Sequence, residues 1–157
     1  GVPTVPEEPF VAGTTGRKLA CGLLRNSTAL CWPLFTSWSV DLVLPISDGW
    51  ETLMVLQSYG CGLRLSGEIL CWENDNVMLT QPPPPGDVWV HITTGYRGVC
   101  AVSAKGGMSC FFWSSPKQGM DVVPTTTSTW TQLSMQDKFA CGTLADGGIQ
   151  CWCVCGL

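Results

Sequence analysis

Four copies of one phrase constrain this chain more than any other feature. They read CGLLRNSTALCW from Cys21, CGLRLSGEILCW from Cys61, CAVSAKGGMSCFFW from Cys100 and CGTLADGGIQCW from Cys141. The leading cysteines stand 40, 39 and 41 residues apart, and an aromatic residue precedes each by 11 positions: Phe10, Trp50, Trp89 and Trp130. A second cysteine closes the phrase at Cys31, Cys71, Cys110 and Cys151. Two landmarks that hold one phase through four copies define a structural repeat.

Each phrase has the pattern of a β-hairpin. Setting Cys61 opposite Cys71 pairs residue 62 with 70, 63 with 69 and 64 with 68, and leaves Leu65-Ser66-Gly67 as the loop. Loops of three residues put their last residue in the left-handed region, where Gly costs least. Ala104-Lys105-Gly106 and Ala145-Asp146-Gly147 repeat the construction, whereas Arg25-Asn26-Ser27 has no Gly and is expected to turn more loosely. Counted outward from the turn, pairs 64:68 and 62:70 are hydrogen-bonded and pairs 63:69 and 61:71 are not. Non-hydrogen-bonded pairs bring side chains closest, as a cross-strand disulfide needs. The predicted bonds are therefore Cys21–Cys31, Cys61–Cys71, Cys100–Cys110 and Cys141–Cys151. Each is worth about 3 kcal/mol as a constraint on the unfolded chain.

Alternation puts Leu63 and Ile69 on the cysteine face of the second hairpin. The opposite face carries a small residue after each leading cysteine: Gly22, Gly62, Ala101 and Gly142. A bulky side chain from the neighbouring repeat, a tryptophan, is expected to pack there. A sheet that is apolar on both faces must be covered on both, which one repeat cannot do alone. WETLMVL, WVHITTG and WTQLSMQ supply a further strand before three of the hairpins, and VDLVL (40–44) and VVP (122–124) are candidate outer strands. No window has helical periodicity. The expected fold is all-β, a four-repeat β-propeller-like domain with one cross-strand disulfide per blade.

The frame of an aromatic residue followed by C-G-L-x-x-x-G-x-x-x-C-W resembles the extracellular crinkly-type repeats of plant receptor kinases. These are disulfide-bearing relatives of the regulator-of-chromosome-condensation β-propeller repeat. The resemblance covers residues 10–152 and implies a propeller with a disulfide in each blade. It carries over no function, because such propellers serve as receptors, lectin-like binders, inhibitors and exchange factors. Members of the family have about seven blades, and this chain has four copies.

The sequence reads as one domain over 1–157, with repeats at about 10–49, 50–88, 89–129 and 130–157. The second cysteine is followed after 19, 18 and 20 steps by the next aromatic residue, yet only six residues follow Cys151. The nine residues GVPTVPEEP before Phe10 supply most of what repeat four lacks. They complete it either within the chain or in the next subunit, unless the chain belongs to a larger propeller. Cys153 and Cys155 have no partners in the repeat and are read either as an extra local bond or as an intermolecular tie.

Ten cysteines with a single histidine and no short C-x2-C spacing point to disulfides rather than zinc, hence to a secreted or cell-surface protein. The opening GVPTVPEEPF, without Met or an apolar leader, reads as a processed N-terminus. No apolar run is long enough to span a membrane, and the eight scattered basic residues argue against nucleic acid. His91 has no nucleophile or carboxylate near it in sequence, and no phosphate loop or cofactor motif is present. Glu7/Glu8 and Glu73/Asp75 lack the spacing of a calcium loop. An enzyme is therefore not expected.

Six tryptophans hold repeat positions and belong to the core, while Trp38 and Trp113 fall outside the frame and are candidate ligand contacts. Asn26 heads the sequon Asn26-Ser27-Thr28 at a hairpin tip, a glycosylation acceptor. QPPPPGD (81–87) and PTTTSTWT (124–131) suit extended loops. The sequence thus points to a structural building block that assembles head-to-tail through its N-terminal residues. The alternative is a ligand-binding propeller, either a receptor ectodomain or a lectin, with a protein or carbohydrate partner.

Overall fold

A computed structural model describes residues 7, 9–16, 19–34, 48–56, 59–73, 76–77, 87–95, 98–112, 124–136 and 139–153. These residues form four antiparallel sheets and divide into two compact units, Gly1–Met78 and Leu79–Leu157. In the first unit, β1 (Phe10–Thr15), β2 (Leu19–Leu24) and β3 (Ala29–Pro33) form blade one. Blade two comprises β4 (Trp50–Val55), β5 (Tyr59–Arg64), β6 (Ile69–Glu73) and a two-residue β7 (Asn76–Val77). In the second unit, blade three is β8 (Trp89–Gly95), β9 (Gly98–Ser103) and β10 (Met108–Phe112). Blade four is β11 (Trp130–Gln136), β12 (Phe139–Leu144) and β13 (Ile149–Cys153). The segments VDLVL and the first two residues of VVP lie outside the described residues.

The hairpin register is the one the cysteine spacing predicts. Cys61 faces Cys71, with Gly62 opposite Leu70 and Leu63 opposite Ile69, and the other three blades repeat this pairing. All four disulfides form across their own hairpin, with Cα atoms 4.0 Å apart, the close approach of a non-hydrogen-bonded pair. The pair outside the loop is hydrogen-bonded as counted, with the Arg64 N–H donating to the Glu68 carbonyl over 2.8 Å.

Repeat one corrects the expectation of a looser turn. The Leu24 N–H donates to the Thr28 carbonyl over 2.8 Å, and Ser27 takes the left-handed conformation (φ 64°) that Gly67, Gly106 and Gly147 take elsewhere. The neighbouring Asn26 Oδ1 accepts the Thr28 N–H at 3.1 Å, as Asp146 Oδ1 accepts that of Gly148 at 2.9 Å. A side-chain carbonyl thus closes the bend locally, a known role of Asn and Asp in turns.

Each sheet has one face of sulfur and aliphatic side chains and one of aromatic rings. The ring pairs are Phe10–Trp32, Trp50–Trp72, Trp89–Phe111 and Trp130–Trp152, with centroids 5.5 to 5.6 Å apart. The expectation that a neighbouring repeat covers the small residue after the cysteine is wrong. A Cβ on Gly62 would run into Trp50, and one on Gly142 into Trp130, each from the same blade. The leading aromatic residue folds back over its own middle strand, and only a small residue leaves room for the ring.

Blades then stack sulfur face to aromatic face. Leu23 and Ala29 of blade one cluster with Trp50, Leu53 and Trp72 of blade two, and Leu19 and Cys21 with Val55. Cys100 and Val102 of blade three cluster with Trp130, Leu133 and Trp152 of blade four. A hydroxyl completes both stacks: Thr14 Oγ1 accepts the Val55 N–H at 3.3 Å, and Thr93 Oγ1 accepts that of Met135 at 3.0 Å. At the turn edge, the Trp50 N–H donates to the Ser27 carbonyl of the preceding blade, while the Gly49 carbonyl accepts from Leu65 in its own turn. Trp130 and Thr129 make the matching bonds to Gly106 and Ala145.

Two substitutions separate backbone strain from crowding. Gly147→Ala adds a methyl with nothing within 4 Å, at φ 86°, and is expected to cost about 1 kcal/mol from the left-handed conformation alone. Gly62→Val, driven into Trp50, is expected to cost about 3 kcal/mol. Denaturant midpoints of the two variants should rank in that order. Thr93→Val removes the acceptor from the Met135 N–H and should lower stability by about 1 kcal/mol in the same measurement.

Candidate functional site

His91 lies on β8 and its Nε2 sits 2.9 Å from the Leu133 carbonyl, so the ring serves as a donor between blades three and four. Among the described residues no group of three His, Cys, Asp or Glu side chains is arranged to hold a metal ion. Of the two acidic pairs, Glu7 is exposed, while Glu8, Asp75 and the Glu73 side chain lie outside the described residues.

What the fold does offer is surface, in open hollows. One of about 380 Å³ lies on the aromatic face of blade one, lined by Phe10, Gly13, Thr15, Gly22 and Trp32. A second, of about 230 Å³, lies on the sulfur face of blade four around Ser134, Cys141, Thr143 and Ile149. A third, also about 380 Å³, lies at the turn edge of the second unit between Lys105 and Gly106 of blade three and Thr129 and Thr131 of blade four. In the first unit the turn edge carries Arg64, which lies over the Trp50 ring at 5.1 Å and donates to the Asp48 carbonyl at 2.9 Å. That arginine caps the turn.

The tryptophans at repeat positions are structural, as their spacing suggests. Trp50, Trp72, Trp89, Trp130 and Trp152 are buried, while Trp32 on blade one is half-buried. Trp38 and Trp113, the candidate ligand contacts, lie outside the described residues, as does Cys155. Cys153, opposite Phe139 at the end of β13, is itself disulfide-bonded. Asn26 is exposed at the tip of its turn, and its side-chain carbonyl accepts the Thr28 N–H. Sequence reasoning missed Thr14 and Thr93. Their signal was a threonine seven residues before Cys21 and before Cys100, which acquires meaning only once both sheets are stacked.

No family model matches the sequence, and no curated protein matches it. Solved structures do. The ectodomain of the receptor kinase CR4 from Physcomitrella patens superposes with a TM-score of 0.72 at 20% identity, over 96% of this chain and 40% of that one. The CRINKLY WD40 ectodomain of the Arabidopsis thaliana receptor kinase ACR4 gives 0.71 at 21% identity, over 96% of this chain and 55% of that one. Yeast RCC1 (Prp20), solved bound to Kap60, gives 0.66 at 13% identity, over 97% and 45%. This chain thus spans about half the length of these three structures, whereas it covers 94% of the computationally designed Ika4 protein, with a TM-score of 0.63 at 12% identity. Its four repeats are propeller blades of the crinkly and RCC1 type in fold.

Proposed function

We propose that this protein is a non-enzymatic, disulfide-rich repeat module of the secreted or cell-surface environment, acting as a building block whose copies join head-to-tail. The fold it shares with receptor ectodomains and the stapling of every blade support an extracellular setting. The observation that carries assembly is an unequal outer edge. In blade two β6 is paired along its outer side by β7, whereas β3, β10 and β13 of the other blades have no strand on their outer sides among the described residues, and the edge of β13 is the one taken here as the acceptor. An exposed edge is a template for an added strand. Residues 1–9 of a neighbouring copy are the segment proposed to fill it.

Deleting residues 1–9 tests this directly. Light scattering after size exclusion should report an assembly for the full chain and a smaller species for the shortened one, with the disulfide pattern unchanged. An unchanged mass would remove strand exchange.

The same setting implies a glycan at Asn26, which sits exposed on a turn in a sequon. Expression through a secretory pathway should give a chain that loses one glycan's mass on treatment with an amidase specific for Asn-linked sugars. Asn26→Gln should show no such loss.

A second reading, a ligand-binding propeller, is favoured by the hollow at the turn edge of the second unit, beside Lys105 and Thr129. The neighbouring RCC1 structure was solved bound to another protein, which makes an extracellular protein the natural class of ligand on this reading. Carbohydrate binding would draw instead on Trp38 or Trp113.

A further inference from the structure

The stacks within the two units define a rule, and blades one and four each present one half of it that no blade of their own unit covers. A sulfur face, with its aliphatic neighbours, lies on an aromatic face in both units. On blade one the aromatic face is open: Phe10 and Trp32 are half-buried, whereas Trp50 and Trp72, their counterparts on blade two, are fully buried. On blade four the sulfur face is open: Phe139 is 66% exposed and Ile149 69% exposed, and Cys151 is exposed as well. Their counterparts on blade one, Leu19 and Ala29, are buried.

The two open faces also match in detail. Blade two presents Leu53 on its aromatic face, against the cluster that holds Ala29, and blade four presents Leu133 in the same register. Blade one has Gly13 at this position, which leaves the hollow of about 380 Å³ between Phe10, Thr15 and Trp32. The sulfur face of blade four reverses the sizes, with the projecting Ile149 where blade one has the small Ala29. A large-to-small pair is thereby offered to replace a small-to-large one.

The polar bond has its counterparts too. Ser134 stands opposite Cys141 just as Thr14 stands opposite Cys21 and Thr93 opposite Cys100. Ser134 is exposed. Thr15 stands opposite Ala20 as Val55 does opposite Gly60, and the next N–H along, that of Gly16, is the one that donates to β2 at Leu19. The Thr15 N–H therefore occupies the position from which Val55 donates to a hydroxyl of the preceding blade.

We infer that a second copy of this chain docks head-to-tail, with the sulfur face of blade four in one copy against the aromatic face of blade one in the other. Ile149 fills the hollow over Gly13, and Ser134 Oγ accepts the Thr15 N–H. The contact is heterologous, so it closes into a ring or continues into a fibre according to the angle between copies. It rests on the reading of the chain as an assembling block, but it invokes faces rather than the N-terminal strand.

A size-swap experiment tests it on the full chain. Sedimentation velocity over a range of concentrations should show concentration-dependent association of the unaltered protein, weakened roughly thirtyfold or more by Ile149→Asp. Gly13→Leu should weaken it similarly by filling the hollow; a Cβ there meets only the Cys21 carbonyl at 3.7 Å, so the blade itself has room for it. Combining Gly13→Leu with Ile149→Ala should restore association, because it recreates the Leu53–Ala29 arrangement of the first unit. Near-UV circular dichroism and intact-mass counting of disulfides establish that each variant is folded. Association untouched by Ile149→Asp but lost on deleting residues 1–9 would overturn face docking and leave strand exchange standing. The opposite pair of results would keep the docking and remove strand exchange. A monomer at every concentration would overturn both.

Discussion

Each sheet of this protein has two unlike faces, and neither can be left in water without cost. One is lined by a disulfide and aliphatic side chains, the other by a pair of aromatic rings lying over the middle strand. Everything else follows from satisfying both. The ring pair needs small residues beneath it, which accounts for glycine or alanine beside the leading cysteine. The sulfur face needs an aromatic face to rest on, which accounts for repetition. A slip of one residue in the hairpin would exchange the faces, and the disulfide, formed only across a close pair, forbids that slip.

The local half of this arrangement was legible in the sequence. Hairpin register, turn position and all four disulfides follow from ten-residue spacings and a glycine, because these are set by short-range geometry within one hairpin. The turn of repeat one misled because glycine was taken as the requirement, when the requirement was the left-handed conformation, which Ser27 adopts beside an asparagine that closes the bend. The covering of Gly62 by its own Trp50 was assigned to the wrong repeat for a similar reason. Periodicity tells which side chains share a face but not how far a bulged first strand lets a ring lean over. The small residue before the cysteine carried that information as well: Gly60 leaves room for Trp72 just as Gly62 does for Trp50.

The chemistry of the surface was legible mainly as an exclusion. Ring nitrogen, hydroxyl and guanidinium groups that look functional in a list of residues are consumed in holding blades together. His91 donates between blades, Thr14 and Thr93 accept between blades, and Arg64 covers a tryptophan and caps a turn. Charged residues make up only 13% of the chain, against roughly 25% in ordinary soluble domains.

The four sulfur bridges are not equally sheltered. Those of blades two and three have at least one sulfur-bearing residue wholly out of reach of solvent, while the bridge of blade four has Cys151 in the open. A thiol reagent arriving from outside can attack Cys141–Cys151 without waiting for any blade to part, whereas Cys61–Cys71 can be reached only after its surroundings have opened. Reduction from solution therefore begins at the last hairpin. The second copy proposed to dock on that hairpin would at the same time shield its exposed sulfur.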